Sequence, residues 1–117
     1  MMDSFDVMMV ALKFNEKINS RDVEGLAELM TDDHTFMDAL GNSTKGKAAM
    51  KEGWREFFEM YPDYRNVFTS VTVEEDLVVM VGYSMCSVKQ LEGRSLWTAR
   101  VCDGCVSEWR VFWLERK

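Results

Sequence analysis

Residues 101–113, VCDGCVSEWRVFW, decide the fold. Asp103 and Gly104 lie between two runs rich in β-branched and aromatic residues, and an Asp-Gly pair in that setting is the strongest short-range signal of a β-hairpin. The pattern predicts strands over residues 95–102 and 105–115, with Cys102 opposite Cys105 across the turn.

The segments before this hairpin continue the β pattern. Residues 66–74 alternate apolar or β-branched side chains with polar ones, and residues 77–89 are rich in β-branched and apolar side chains. Glu75 and Asp76 make a tight connection between them. The second half of the chain therefore predicts an antiparallel meander of four long strands.

The first half has helical periodicity. Apolar residues recur at helical spacing over residues 4–19, Asp22 suits the N-cap of a short second helix, and a third helix is predicted over residues 47–61, ended by Pro62. We expect an α+β fold with three N-terminal helices packed on a strongly curved antiparallel sheet, a cone-shaped α+β barrel that tends to enclose a cavity. The aromatic residues available to line it are Trp54, Tyr83, Trp97, Trp109 and Trp113.

The stretch DDHTFMDALG, residues 32–41, joins the two halves and is unusually polar for a core strand. If it is extended, as a short edge piece of the sheet, His34, Phe36 and Asp38 point to the same face. An acid and an imidazole beside an aromatic ring are typical of a cavity wall.

Length, net charge and cysteine content exclude several classes of partner and site. A chain of 117 residues fits one domain, residues 1–117, and the net charge of −6 argues against nucleic acid or an anionic membrane surface as partner. No apolar run approaches the ~18 residues of a membrane span, and no signal peptide is evident, so we expect a cytoplasmic protein. The three cysteines suit neither a disulfide scaffold nor a zinc site. We expect reduced structural thiols and neither metal nor cofactor.

Several short pieces carry a family resemblance: NSRD at 19–22, DDHTFMDALG at 32–41, KGK at 45–47, YPDY at 61–64 and VCDGCVSEWRVFW at 101–113. In this order they resemble the SnoaL-like branch of the nuclear-transport-factor-2-like superfamily, which includes ketosteroid isomerases, limonene epoxide hydrolase and polyketide cyclases. The resemblance covers nearly the whole chain and implies the fold rather than one function, because this fold hosts enzymes and non-enzymes.

The resemblance to ketosteroid isomerases runs without a gap over residues 14–38 and places Asp38 on their general base. Their oxyanion tyrosine falls at Phe14, and its two supporting tyrosines fall at Met30 and Trp54. Their protonated aspartate falls near Trp97 or Thr98. In those isomerases the tyrosine and the protonated aspartate together stabilise the enolate, and loss of one such donor typically costs ~100-fold or more in rate. Steroid isomerisation is therefore not expected.

The other chemistries of the superfamily also lack essential residues. Arg100 matches the arginine of the epoxide hydrolase motif, but Cys102 stands where that motif has an acid. Trp109 and Val111 occupy the places of the cyclase histidine and aspartate. The resemblance therefore implies the cavity without naming its reaction.

Each candidate polar residue has two interpretations. Asp38 is either a cavity carboxylate that exchanges a proton with a ligand or a turn residue that accepts backbone hydrogen bonds. His34 either contacts a ligand or assists another residue such as Tyr83 or Arg100, or it lies at the exposed start of a strand with no chemical role. Arg100 either shares the face of Trp109 and binds an anionic ligand group, or pairs with Glu108 or a surface acid after a change of register.

We expect a cavity that binds a small apolar or carbonyl-containing molecule, and if the protein is catalytic, an isomerase- or cyclase-type acid–base enzyme that uses Asp38. The expected ligand-binding residues are Phe14, His34, Phe36, Trp54, Tyr83, Trp97, Arg100 and Trp109. The alternatives are a non-catalytic ligand-binding protein and a dimerisation module. Apolar residues on both faces of the last strand predict a homodimer through the outer sheet face, with Arg110 and Phe112 at the seam.

Overall fold

A computed structural model describes residues 2–114 of the chain. The predicted helices and the four long strands are all present, while the part of the predicted last strand at residue 115 lies outside the described residues. In chain order the elements are α1 (Ser4–Asn19), α2 (Val23–Glu28), β1 (Met30–Met37), β2 (Ser43–Lys45), α3 (Lys47–Met60), β3 (Arg65–Glu74), β4 (Leu77–Met85), a single 3-10 turn (Lys89–Leu91), β5 (Gly93–Cys102) and β6 (Cys105–Trp113).

Local side chains fix where the helices begin and end. The carboxylate of Asp3 caps α1 by accepting from the amide of Asp6, and Asp22 caps α2 by accepting from the amide of Gly25. Pro62 follows the C-cap residue of α3, Tyr61, and cannot continue the hydrogen-bond ladder of the helix. The cap at Asp22 confirms the predicted start of α2, and the cap at Asp3 accounts for the observed start of α1.

The helices pack on one face of a six-stranded sheet with the order β2-β1-β6-β5-β4-β3. Strands β3 to β6 form the predicted antiparallel meander. Strand β1 lies inside the sheet, parallel to β6, and the short β2 takes the edge. The prediction of an all-antiparallel sheet with an edge piece is therefore wrong in this respect, because side-chain alternation carries no information on strand direction. The sheet is open, since β2 and β3 are its two ends.

Two irregularities in the long strands decide which side chains face the helices. One lies in β3 between Phe68 and Ser70, and one lies in β5–β6 beside Arg100. An extra residue in one strand reverses the facing of every residue beyond it. The predicted single alternation over residues 67–73 is therefore broken: Asn66 is buried before the bulge, whereas Val71 packs against the core after it.

Gly82 marks the closest approach of two strands. A Cβ atom at this position would lie 1.9 Å from the carbonyl oxygen of Val67 on the neighbouring strand. No side chain fits that gap without moving the backbone. The glycine therefore allows β3 and β4 to remain paired next to the bulge.

The core lies between the helices and the inner face of the sheet. Its largest fully buried side chains include Phe14 and Ile18 of α1, Trp97 of β5 and Trp109 of β6. Among residues 2–114, no helix combines the length and the apolar character that crossing a membrane requires.

Candidate functional site

A cavity of about 400 Å³ opens between α3 and the inner face of the sheet. This volume is within the ~300–1,000 Å³ typical of small-molecule sites. Eight of its lining residues are aromatic: Phe36, Trp54, Phe57, Tyr61, Tyr64, Trp97, Trp109 and Trp113. All four tryptophans of the chain therefore line the same cavity.

Apolar and aromatic residues at helical spacing form one wall of the cavity. Met50, Trp54 and Phe57 lie three or four residues apart on α3, so they share one face of the helix, and Tyr61 follows at its C-cap. The ring of Trp54 meets that of Phe36 from β1 edge to face at 5.7 Å and that of Phe57 at 5.6 Å. These ring contacts hold the helix against β1.

Alternating residues of β5 and β6 that share one face of the sheet form the opposite wall. Trp109, Val111 and Trp113 alternate along β6, and Trp97 lies on the same face of the neighbouring β5. Trp97 and Trp109 are each 1% exposed, so they form the floor of the cavity rather than its mouth.

Asp38 lies both in a tight turn and on the cavity wall. Its Oδ1 accepts from the amides of Leu40 and Asn42, each at 2.9 Å, and the carboxamide of Asn42 donates to Oδ2 at 3.4 Å. The turn interpretation is thus confirmed, and the side chain also lines the cavity beside Phe36 and Thr44. An ionised carboxylate offers about four acceptor sites, so Oδ2 keeps capacity for a further donor.

A buried network of polar side chains lies at another part of the wall, which Tyr64 and Asn66 contribute to the cavity. The hydroxyl groups of Tyr64 and Ser84 are 3.1 Å apart, Ser84 donates to Asn66 Oδ1 at 3.0 Å, and Asn66 Nδ2 donates to Asn15 Oδ1 at 3.1 Å. The sequence analysis missed this network. The available signal was an asparagine and a serine on adjacent apolar strands, and the bulge in β3 concealed their common face.

The single histidine of the chain is fully buried beneath the cavity rather than on its surface. His34 Nδ1 lies 2.7 Å from the carbonyl oxygen of Val106, and its ring packs 5.6 Å from that of Phe14. The prediction of an exposed strand start is wrong, because the parallel pairing with β6 places β1 inside the sheet. Burial lowers the pKa of His34, while the Val106 carbonyl and the carboxylate of Asp33 oppose that shift.

Phe14 also belongs to the core and not to the cavity wall. Its ring lies between those of His34 and Trp109, 4.7 Å from the latter. A ligand in the cavity would meet Trp109 on one side of this stack, with Phe14 behind it.

Tyr83 and Arg100 lie on the outer face of the sheet, away from the cavity. Tyr83 is 40% exposed, and Arg100 forms an ion pair with Asp76 at 2.9 Å. The bulge beside Arg100 places it opposite Glu108 instead of on the face of Trp109. The expectation that Arg100 shares the face of Trp109 is therefore wrong, and the alternative of a surface partner is confirmed.

The cysteine pair flanks the hairpin turn, with Cys102 opposite Cys105 as predicted. Both thiols are free, and the nearby carboxylate of Asp103 raises the pKa of the exposed Cys102. A raised thiol pKa reduces the thiolate fraction and hence the reactivity. Within residues 2–114, no group of three or more histidine, cysteine or acidic side chains is arranged to hold a metal ion.

Two buried polar atoms have no hydrogen-bond partner among the described residues: His34 Nε2 and Trp54 Nε1. Such atoms are uncommon in native proteins, and each one calls for an explanation. The indole N–H of Trp54 belongs to a residue of the cavity wall and is a donor only.

Comparison with known proteins supports the fold. The model of the SnoaL-like domain matches residues 11–110. A search of curated proteins found no match. Solved structures with the same fold are numerous, and three illustrate their range of names.

An LEH-like epoxide hydrolase from M. tuberculosis superposes with a TM-score of 0.83 at 12% identity, covering 95% of this chain and 84% of that chain. A proposed ketosteroid isomerase from Kribbella flavida has a TM-score of 0.81 at 20% identity, with coverages of 98% and 82%. A proposed polyketide cyclase from Sinorhizobium meliloti has a TM-score of 0.81 at 15% identity, with coverages of 94% and 99%. At these identities the likeness shows the fold alone.

Proposed function

Because the chain belongs to the SnoaL-like domain family, in which one fold carries different functions, we propose a function from the cavity itself: it binds a small, largely apolar molecule, with Asp38 contacting the polar end. The observation that carries this proposal is a carboxylate with a spare oxygen on the wall of an aromatic cavity. Concave aromatic sites with a few placed polar groups are the usual form of small-molecule sites.

Acid–base chemistry is the catalytic form of this proposal. Asp38 Oδ2 would accept a proton from a carbon next to a ligand carbonyl. Relatives of this fold bear the names epoxide hydrolase, ketosteroid isomerase and polyketide cyclase. A protein that binds without turnover, or a dimerisation module, is the alternative.

The four tryptophans provide the test, because each lines the cavity and ligand binding should change their fluorescence. Gly53→Phe would obstruct the cavity at low structural cost: a Cβ at Gly53 meets only the side chain of Met50, at 3.9 Å. Glycine also disfavours a helix interior by ~1 kcal/mol, so the variant should fold at least as well.

Ala49→Phe is the matched control, since Ala49 is exposed on the same helix and does not line the cavity. We expect aromatic fragments to change the fluorescence of the native protein and of Ala49→Phe, and to have no effect on Gly53→Phe. Equal responses from both variants would contradict binding in this cavity.

We further propose that the chain forms a homodimer through the outer face of the sheet. Val81, Leu96 and Phe112 are cross-strand neighbours on β4, β5 and β6, so they form a continuous apolar row. Each is partly exposed in the single chain, while the helices cover the other face. Arg110 stacks on Phe112 at 4.6 Å and supplies a polar edge to this row. A second copy of the same surface is the occupant that such a row fits by two-fold symmetry.

A cytoplasmic location is also proposed. All three cysteines of the chain are unpaired. Unpaired thiols suit a reducing compartment better than an oxidising one. Fractionation of the source cells with an antibody to the protein would test this location, and recovery outside the cytoplasm would contradict it.

A further inference from the structure

The cavity carries an uneven distribution of charge. Among residues 2–114, Asp38 is the only charged residue that lines it, and no lysine, arginine or histidine of that range does. The whole chain has a net charge of −6. A ligand with a carboxylate or phosphate group would therefore meet repulsion and no counter-charge.

Two other polar residues of the wall, Tyr64 and Asn66, are hydrogen-bonded to the protein, while Thr44 and Tyr61 supply only neutral hydroxyl groups. Asn66 Nδ2 donates to Asn15, and Asn66 Oδ1 accepts from Ser84. The hydroxyl of Tyr64 is hydrogen-bonded to that of Ser84. The second oxygen of Asp38 has only the 3.4 Å contact from Asn42. Asp38 Oδ2 is thus a charged acceptor on this wall with capacity for a group of the ligand.

An aspartate that already accepts two amide hydrogen bonds at Oδ1 acts in this structure as an acceptor. An ionised carboxylate has no proton to donate, so it cannot bind a neutral carbonyl oxygen directly. It does attract a cation or an N–H donor, and such charge-assisted hydrogen bonds are roughly twice as strong as neutral ones.

The aromatic walls favour the same ligand class. The faces of tryptophan, tyrosine and phenylalanine rings attract cations within ~6 Å, most strongly when water is excluded. Phe36 lies two residues before Asp38 on the same face, and its ring packs against Trp54. A cation beside Asp38 would therefore lie in a cavity lined by aromatic rings as well as by a carboxylate.

We propose that the ligand of this cavity is an organic cation, an amine or a quaternary ammonium compound with an apolar body. This inference rests on the proposed ligand-binding function and names the charge of the ligand. In the acid–base proposal, Asp38 contacts an acidic C–H next to a ligand carbonyl. Here it contacts a positively charged nitrogen of the ligand instead.

A series of phenyl compounds with different polar ends tests the charge directly. Phenethylammonium and benzyltrimethylammonium are cations, phenethyl alcohol is neutral, acetophenone carries the carbonyl and phenylacetate is the anion. Dissociation constants are measured at low salt by tryptophan fluorescence and by calorimetry, with the native protein, Asp38→Asn and Asp103→Asn. The last is the matched control, since it removes the same charge in the hairpin turn, where Asp103 has a φ of +50°, a conformation that asparagine tolerates.

We expect both cations to bind about tenfold or more tightly than phenethyl alcohol, which corresponds to ~1.4 kcal/mol. Asp38→Asn should reduce that preference to about threefold, the part contributed by the rings, while Asp103→Asn leaves it unchanged.

Equal binding of the alcohol or acetophenone and the cations would overturn the inference and leave the ligand-binding function standing. Tightest binding of phenylacetate would also overturn it. An equal loss of cation preference in Asp38→Asn and Asp103→Asn would show a general charge effect and refute the role of Asp38. No binding of any compound would refute both the inference and the proposed function.

Discussion

Acidification should destabilise this protein through its single histidine. His34 is fully buried, and its Nδ1 faces the carbonyl oxygen of Val106 at 2.7 Å, so Nδ1 carries the proton in the neutral ring. A second proton would go to Nε2, which is buried and has no partner among the described residues. Burial accordingly lowers the pKa of His34 below its usual 6.5.

The size of the effect follows from linkage. Below about pH 6.5 the unfolded chain binds a proton at His34 that the folded chain does not bind, so stability decreases as the pH decreases. The loss is at most ~1.4 kcal/mol per pH unit until the pH reaches the lowered pKa of the folded state. Between about pH 7.5 and 5.5 we therefore expect His34 to remove up to ~1.4 kcal/mol from the free energy of unfolding.

Urea unfolding at several pH values measures this loss, and His34→Asn is the comparison. The asparagine carboxamide retains an N–H donor for the Val106 carbonyl and does not titrate, whereas all carboxylates remain the same in both proteins. The variant should be less stable at neutral pH and should show a flatter pH dependence. Parallel pH curves for the two proteins, or a His34 titration midpoint at or above about 6.5 by NMR, would refute the reasoning.

Three further predictions concern the sheet. Gly82→Ala should lower the free energy of unfolding by ~1–3 kcal/mol or more in urea titrations, because its Cβ would lie 1.9 Å from the Val67 carbonyl oxygen; unchanged stability contradicts this packing. Arg100→Ala should cost less than ~1 kcal/mol and leave fragment binding intact, because its ion pair with Asp76 is exposed; lost binding contradicts its outer position. Phe112→Lys should convert a sedimenting dimer to monomers; a native monomer at micromolar concentration, or an interface below ~1,000 Å², contradicts the dimer.

Most of the secondary structure was predictable from local signals. The caps at Asp3 and Asp22, the stop at Pro62 and the Asp-Gly turn act within a few residues of their own position, and the structure has each element where these signals place it. The strand predicted over residues 77–89 ends earlier, at Met85. There Asp63, from the α3–β3 connection, accepts from the amide of Ser87 at 2.9 Å, a contact that the local sequence cannot reveal.

The candidate site was predictable only in part, because non-local features orient several side chains. Phe36, Trp54, Trp97 and Trp109 line the cavity because helical and strand periodicity persists where they lie. Arg100 faces outward because of a bulge, and a bulge inserts one residue without a clear sequence signature.

His34 depends on strand order in the same way. Its burial follows from the parallel pairing of β1 with β6, which joins segments about 70 residues apart in the chain. Side-chain alternation placed His34 on the same face as Phe36. It could not show that the ring of Phe14 would cover His34.

The most direct test of the central claim is an NMR measurement of contacts between bound phenethylammonium and the protein. We predict nuclear Overhauser effects from the ligand to the rings of Trp97 and Trp109, together with a shift of the Asp38 carboxyl carbon, since all three residues line one cavity. Contacts only to outer-face residues such as Tyr83, or a ligand bound in the cavity with the Asp38 carbon unchanged, would contradict the account.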